Sequence, residues 1–198
     1  SERLKTLSEI DHSDNTIVIT SITTLMQTLS PKEFINQYTF FVDVGDEINL
    51  DTIRTQFVRS GYRNVGQVFE HGEFAIRGSI LDIFPMGCKL PFRIELFDNE
   101  IETIRTFDST TQRSINEVNS IHLLPAKEFP MDENAITRFR TAFRESFEGN
   151  PTQCPVYTNV TDGIFTPGIE YYLPLFVEHT ETLFDFLHED TLIITTHD

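Results

Sequence analysis

The chain has 198 residues, of which 39% are hydrophobic and 12% aromatic, enough apolar material for one large or two small domains. Its 31 acidic and 15 basic residues give a net charge of −16, which disfavours non-specific binding to nucleic-acid phosphates. No apolar run approaches the roughly 20 residues that span a bilayer. Cys88 and Cys154 lie too far apart for a metal knuckle or a redox pair. We therefore expect a reduced, cytoplasmic protein without membrane contact.

Residues 1–38 have the pattern of the first part of an α/β domain. A short helix is predicted around Leu4 and Leu7, and residues 16–20 form a continuous apolar, β-branched run. Such a run is typical of a strand buried on both faces of a parallel sheet. A helical repeat over residues 22–29 follows. Because this segment lacks strand neighbours of its own, we expect a part of the domain upstream, or the tail of the chain, to complete it.

Residues 39–125 predict an inserted α+β domain. Alternation between residues 38 and 44 indicates a strand, and a helical repeat ending before Gly61 indicates a helix with a glycine cap. Strand-like runs then follow at residues 74–84, 92–97 and 101–107, the last two joined by a short hairpin turn. One helix and several antiparallel strands make a compact module of about 85 residues, which is a usual domain size.

Residues 126–198 predict a return to the α/β domain. Asp132 is a good N-cap, and apolar residues then recur at helical spacing up to Phe147. A loop is predicted at residues 168–174 and a helix at 183–187. Residues 191–195 form another buried-strand pattern, which we expect to pair with residues 16–20.

The sequence offers little support for a catalytic site. Gly61 and Gly66 have the spacing of a phosphate-binding loop, but the Lys and Ser/Thr that must follow are absent. His71 and Glu73 could form an acid–base pair, although a polar turn is the simpler interpretation because no nucleophile or oxyanion donor stands nearby. We expect no enzyme, no cofactor and no metal site in this chain.

The run 92–97 stands out as a possible interaction surface. Strict alternation places Ile94 and Leu96 on one side, and Arg93, Glu95 and Phe97 on the other. Exposed aromatic and arginine side chains together have the composition of an interface hot spot. Alternation alone leaves open whether Phe97 is exposed or packs under a neighbouring helix.

Several ordered motifs resemble the N-terminal region of the bacterial transcription-repair coupling factors, the Mfd family. They are EHGEFAIRG at residues 70–78, LDIFPMG at 81–87, LLPAKEFP at 123–130 and PGIEY at 167–171. The excision-repair protein UvrB shares the Arg-Gly and Ile-Phe-Pro elements, but the longer motifs favour the coupling factors. The resemblance covers nearly the whole chain.

The resemblance implies a partial, degenerate RecA-like or UvrB-like α/β domain, interrupted by an inserted antiparallel α+β domain that binds UvrA. This contact would recruit nucleotide excision repair to a stalled transcription complex. The family's UvrA-contacting arginines fall on Arg77 and Arg93, and its contacting phenylalanine falls on Phe97. A contacting acid falls on Asn99, here an amide, next to Asp98 as a possible substitute. These residues form one patch if the strand of Arg77 pairs beside that of Arg93.

Two alternatives stay open. Arg77 could pair with Asp82 or Glu95 and merely hold the sheet together. The chain could instead be a UvrB-like DNA-handling module, although its net charge disfavours this, and residues 20–30 leave no room for the damage-probing hairpin typical of UvrB. By resemblance, the ATP-driven motor and the contacts with RNA polymerase and DNA belong to other domains of the full-length protein.

Overall fold

The computed structural model describes residues 2–12, 17–164 and 166–195. The strands are β1 (Phe40–Asp43), β2 (Arg63–Asn64), β3 (Glu73–Arg77), β4 (Ile80–Phe84), β5 (Phe92–Phe97), β6 (Glu100–Phe107), β7 (Ser114–Val118) and β8 (Ser120–Leu123). The α-helices are α1 (Glu2–His12), α2 (Ile22–Leu25), α3 (Lys32–Gln37), α4 (Leu50–Arg59), α5 (Glu133–Ser146), α6 (Pro155–Thr161) and α7 (Leu183–Phe186). Two short 3₁₀ helices span Pro151–Gln153 and Ile169–Leu175.

The strands form two sheets. Six of them follow the order β2-β3-β4-β5-β6-β7, in which β2 runs parallel to β3 and every other pair is antiparallel. The remaining two, β1 and β8, form an antiparallel ribbon with Phe40 opposite Leu123. This mixture of helices and mainly antiparallel strands confirms the expected fold class, whereas the domain boundaries at residues 38 and 125 stay a prediction.

The run 74–84, expected as one strand, is a hairpin of β3 and β4. Arg77 pairs with Ile80, and Gly78 turns the chain with a φ of 62°, a left-handed conformation that glycine adopts without a steric penalty. Apolar residues on both sides of the turn hide it in the hydrophobicity pattern. The extra strand changes the sheet order, because β4 now lies between β3 and β5.

Helix α4 packs on one side of the six-stranded sheet and closes the main core. Its first turn is capped by the Asn49 side chain, which accepts hydrogen bonds from two backbone N–H groups at 3.0 Å each. Phe57 is fully buried, and its ring lies 5.4 Å from that of Phe74 on β3. The helix ends before Gly61, whose φ is +88°, so the predicted glycine cap is confirmed.

A second core forms among the helices that follow the sheet. Asp132 caps α5 by accepting a hydrogen bond of 2.9 Å from the N–H of Ala135, as predicted. Phe139 and Phe143 on α5 are buried there. Residues 168–174, expected as a loop, instead belong largely to a 3₁₀ helix whose Leu173 is buried in the same core. Burial of apolar residues orders this segment despite its Pro and Gly.

The two predicted strands of the flanking segments are wrong in the described residues. Residues 17–20 and 191–195 belong to no strand, and Ile19 and Ile194 are 92% and 77% exposed. A strand with two buried faces needs a ladder partner on its edges, and neither run has one among the described residues; residue 16 lies outside them.

The first and last segments nevertheless meet. Leu29 and Glu181 form an isolated antiparallel bridge with backbone N···O distances of 2.7 and 2.9 Å. A third core cluster joins residues of α1, α3 and α7, including Leu4, Phe34 and Phe186. Helix packing therefore makes the contact that strand pairing was expected to make.

No helix in the described ranges combines the length and the apolar character needed to cross a bilayer.

We expect Phe57→Ala to lower the free energy of unfolding by about 3–5 kcal/mol, because it leaves a cavity between α4 and the sheet. Urea denaturation followed by circular dichroism measures this change. Val58→Ala on the same helix is the matched control, since Val58 is 54% exposed and its loss should change stability by less than about 0.5 kcal/mol. Equal losses for the two variants would contradict the assignment of this core.

Candidate protein-docking face

One side of the six-stranded sheet packs against the main core. The other side carries charged side chains next to a small buried apolar cluster that includes Ala75, Phe84 and Phe107. On β5, Ile94 and Leu96 are buried against the main core, so the alternate residues Arg93, Glu95 and Phe97 lie on the opposite side. We call this opposite side the arginine face; its central residues are Arg77, Asp82, Arg93, Glu95 and Phe97. The alternation predicted for residues 92–97 is thereby observed.

Asp82 on β4 lies at the centre of the arginine face. Its side chain is fully buried and accepts two hydrogen bonds from Arg93, from Nε at 2.7 Å and from Nη2 at 2.9 Å. It also accepts a hydrogen bond from Nη2 of Arg77. The strands of Arg77 and Arg93 do not pair directly, because β4 lies between them. One carboxylate on that middle strand joins both guanidinium groups instead.

Arg93 is held on several sides. Besides its two bonds to Asp82, its Nη1 donates to the backbone carbonyl of Gln112 at 3.2 Å. Its guanidinium carbon lies 4.7 Å from the centre of the Phe107 ring, a cation–π distance. The hydrogen bond to Asp82 is the main cause that raises the pKa of Arg93 above its usual value. The side chain is only 16% exposed, so it presents a fixed cation.

Arg77 combines an ion pair with exposure. The pair with Asp82, considered above as a purely structural role, is present. The Arg77 side chain is still 45% exposed, because it stands at the end of β3 beside the turn. It can therefore contact a partner while it stays paired within the sheet.

Phe97 projects from the end of β5. Its side chain is 71% exposed, which answers the question that alternation left open. The adjoining turn contains Asp98, with a φ of 55°, and Asn99; both are exposed. The turn is anchored from behind, since the N–H of Ile48 donates to the carbonyl of Asn99 at 2.8 Å. An exposed ring on an anchored turn is available for contact at little entropic cost.

Sequence reasoning missed a second ionic group on this face. Arg105 on β6 stands opposite Arg93 and contacts both oxygens of Glu95 at 3.2 Å. It also donates through Nε to Glu117 on β7 at 3.1 Å. Alternation counted from Ile101 would have placed Arg105 on the core side. A register shift in β6 leaves both Ile101 and Ile104 in the core and so brings Arg105 to the arginine face. The arginine face is thus a network of ion pairs in which each arginine has at least one carboxylate partner.

The acid–base alternative at His71 and Glu73 is not supported by their surroundings. Glu73 accepts hydrogen bonds from the N–H groups of Phe69 and Glu70, both at 2.9 Å, and from Arg63 at 2.6 Å. Its carboxylate therefore anchors the loop before β3. The His71 ring donates to the carbonyl of Cys88 at 2.8 Å. Both side chains therefore already form hydrogen bonds that fix the local backbone.

Within the described part of the chain, one group of side chains could approach a metal ion. Ligand atoms of Glu33, His179 and Glu181 lie within 4.8 Å of one another. Glu33 and His179 are exposed, and the N–H of Lys32 already donates to Glu181. The group is far more open than a structural metal centre and shares no residue with the arginine face.

The surroundings of Glu73 predict a pH-dependent contribution to stability. Burial alone would raise its pKa, but the hydrogen bonds from Phe69, Glu70 and Arg63 lower it below the usual 4.5. A folded pKa below the unfolded one stabilises the fold above about pH 4.5, and this contribution is lost as pH falls through the folded pKa. Glu73→Gln should therefore cost about 1–3 kcal/mol at pH 7, and the cost should shrink in acid.

Denaturant titrations at pH 7 and pH 3 measure the difference. Glu70→Gln is the control, since the Glu70 side chain is 77% exposed and its loss should have little effect at either pH. A Glu73→Gln penalty that stays the same at both pH values would refute the assigned hydrogen-bonding role.

Comparison with known proteins agrees with this architecture. Residues 40–129, which contain the whole arginine face, match the family model of the UvrB interaction domain. The chain is 45% identical to the transcription-repair-coupling factor of Haemophilus influenzae over 98% of its own length, 42% identical to that of Escherichia coli over 100%, and 30% identical to that of Bacillus subtilis over 98%. It spans only 17 to 18% of the length of these relatives. The family resemblance drawn from the motifs is therefore confirmed: residues 40–129 belong to the UvrB interaction domain family, within a chain similar to one segment of the transcription-repair coupling factors.

Proposed function

We propose that the arginine face docks UvrA and that the chain serves as a recruiting module in transcription-coupled nucleotide excision repair. The observation that carries this proposal is an exposed Phe97 ring on the strand of Arg93, on the sheet side where one buried carboxylate fixes the guanidinium groups of Arg77 and Arg93. The match to the UvrB interaction domain and the similarity to coupling factors support it.

The chemistry of this face suits a protein partner. A large ring and arginine side chains in one patch are the residue types that contribute most to interface energies. Phe97 can enter an apolar pocket, while Arg77 offers donors for carboxylates or carbonyls at the partner's surface. Nearly all of the Arg93 side chain is covered, so it contributes a fixed charge and a planar donor edge.

The turn next to Phe97 supplies further polar contacts. We assign Asp98 and Asn99 to the same docking site, because both are exposed at the tip of the β5–β6 hairpin. The Asn99 amide can donate as well as accept a hydrogen bond, whereas Asp98 offers only acceptors when ionised. Asp98 therefore takes over the acidic contact that the family resemblance places at residue 99.

The wider setting is part of the same proposal. The names of the relatives describe coupling between transcription and repair, and we infer that RNA polymerase, DNA and ATP are handled by other regions of the full-length protein. Its place of action is then the bacterial cytoplasm, where transcription occurs.

We expect Arg77→Ala, Arg93→Ala and Phe97→Ala each to weaken a complex with UvrA by about 1–4 kcal/mol. Truncation removes either the ring that fills a pocket or a cation that pairs with the partner. Isothermal titration calorimetry measures the affinities, and circular dichroism verifies that each variant is folded. Unchanged affinity for all three variants would remove the site assignment.

Two controls match these variants in residue type. Arg54 on α4 is exposed on the other side of the module, and Phe184 on α7 is 48% exposed outside the sheet; alanine at either position should leave the affinity unchanged.

The complex should also weaken as salt rises, yet survive near-physiological ionic strength, because exposed charges are screened while ring burial is not. Affinity measured at about 50 and 150 mM salt tests this. A parallel titration with single-stranded DNA separates the alternative: binding that falls steeply with salt, without binding to UvrA, would favour a DNA-handling module.

A further inference from the structure

Burial of the Asp82 carboxylate carries an unfavourable desolvation free energy. Taking a carboxylate out of water costs several kilocalories per mole unless ion pairs compensate, and a well-packed apolar residue is often at least as stable at such a position. Its neighbours Leu81 and Ile83 already fill the main core from the other side of β4. The presence of an acid on the arginine face therefore suggests a role beyond packing.

We propose that Asp82 is a positioning residue that presents the guanidinium groups of Arg77 and Arg93 to the docking partner. This inference rests on the proposed function, since it explains how the docking face is prepared before the partner arrives. Asp82 itself is fully buried and touches no partner; it acts through the two arginines.

The hydrogen bonds show how the position is set. A bidentate pair from Nε and Nη2 fixes the plane of the Arg93 guanidinium. With the bond to Gln112, three of its five N–H groups are used among the described residues. The remaining two N–H groups of Arg93 make none of these bonds, and the fixed guanidinium plane defines the directions in which they point.

The sheet register sets the spacing between the two cations. Asp82 stands directly opposite Arg93 on β5, while its partner on β3 is Ala75, two residues before Arg77. Arg77 must therefore reach back along the sheet to the carboxylate. Without the carboxylate, Arg77 and Arg93 would repel each other, and Arg105 opposite Arg93 would add a third positive charge nearby.

Preorganisation and charge neutralisation predict opposite results. If Asp82 positions the arginines, its loss weakens docking, because both side chains must then be ordered on binding. If Asp82 merely neutralises them, its loss exposes more positive charge and strengthens attraction to an acidic partner.

The test is Asp82→Asn, which nearly keeps the shape of the side chain and removes its charge. We expect the dissociation constant for UvrA to rise about 5- to 50-fold, with a folded chain by near-UV circular dichroism. In an Arg77→Ala/Arg93→Ala background, adding Asp82→Asn should cause no further loss, a pattern that general destabilisation would not produce. Unchanged or tighter binding by Asp82→Asn would overturn the inference.

A measurement on the unaltered chain keeps the test independent of variant folding. We expect the Arg93 Nε–Hε group to show an NMR order parameter near that of rigid backbone, about 0.8, before the partner binds. A value below about 0.5 would mean that Asp82 does not fix the side chain. If the arginine and Phe97 variants bind UvrA normally, the proposed function fails; if they weaken binding and Asp82→Asn does not, only the positioning role fails.

Discussion

A carboxylate buried in a sheet must find cations, and this requirement organises the central part of the molecule. Asp82 satisfies it with two arginines from the strands on either side of β4. The same ion pairs join β3, β4 and β5 through their side chains, in addition to the backbone ladder. The residues that hold the charged side of the sheet together are therefore also the residues proposed to meet the partner, so stability and docking are coupled at one group.

Some of this arrangement follows from sequence alone. Alternation along β5 places Ile94 in the core and Arg93 and Phe97 outside it, and a helix cap marks the end of α4. The pairing at Asp82 does not follow, because it depends on a turn at Gly78 that lies inside an apolar run. Because the chain turns at Gly78, β4 lies between β3 and β5, and Asp82 therefore lies between the two arginines. Periodicity reports which side a residue takes, whereas ion-pair partners require the strand register.

The flanking segments show a different limit of pattern reasoning. An apolar, β-branched run such as residues 17–19 indicates a strand only if an edge is available to pair with it. Here the first and last segments meet through helices α1, α3 and α7 and a single bridge at Leu29. The two apolar runs therefore predicted the wrong kind of contact, because the segments meet through helix packing and not through a ladder.

The ion pairs of the arginine face bear on the choice of partner. On the arginine face, Arg77 and Arg93 pair with Asp82. Arg105 pairs with Glu95 and Glu117, so the cations are compensated locally. A compensated face on a chain of net charge −16 exerts little long-range attraction on polyanions. Recognition by the proposed docking site then depends on short-range geometry, with a ring to be buried and donor groups in set directions. Such a surface discriminates between partners by shape and hydrogen bonding, which suits docking on one protein better than sliding on nucleic acid.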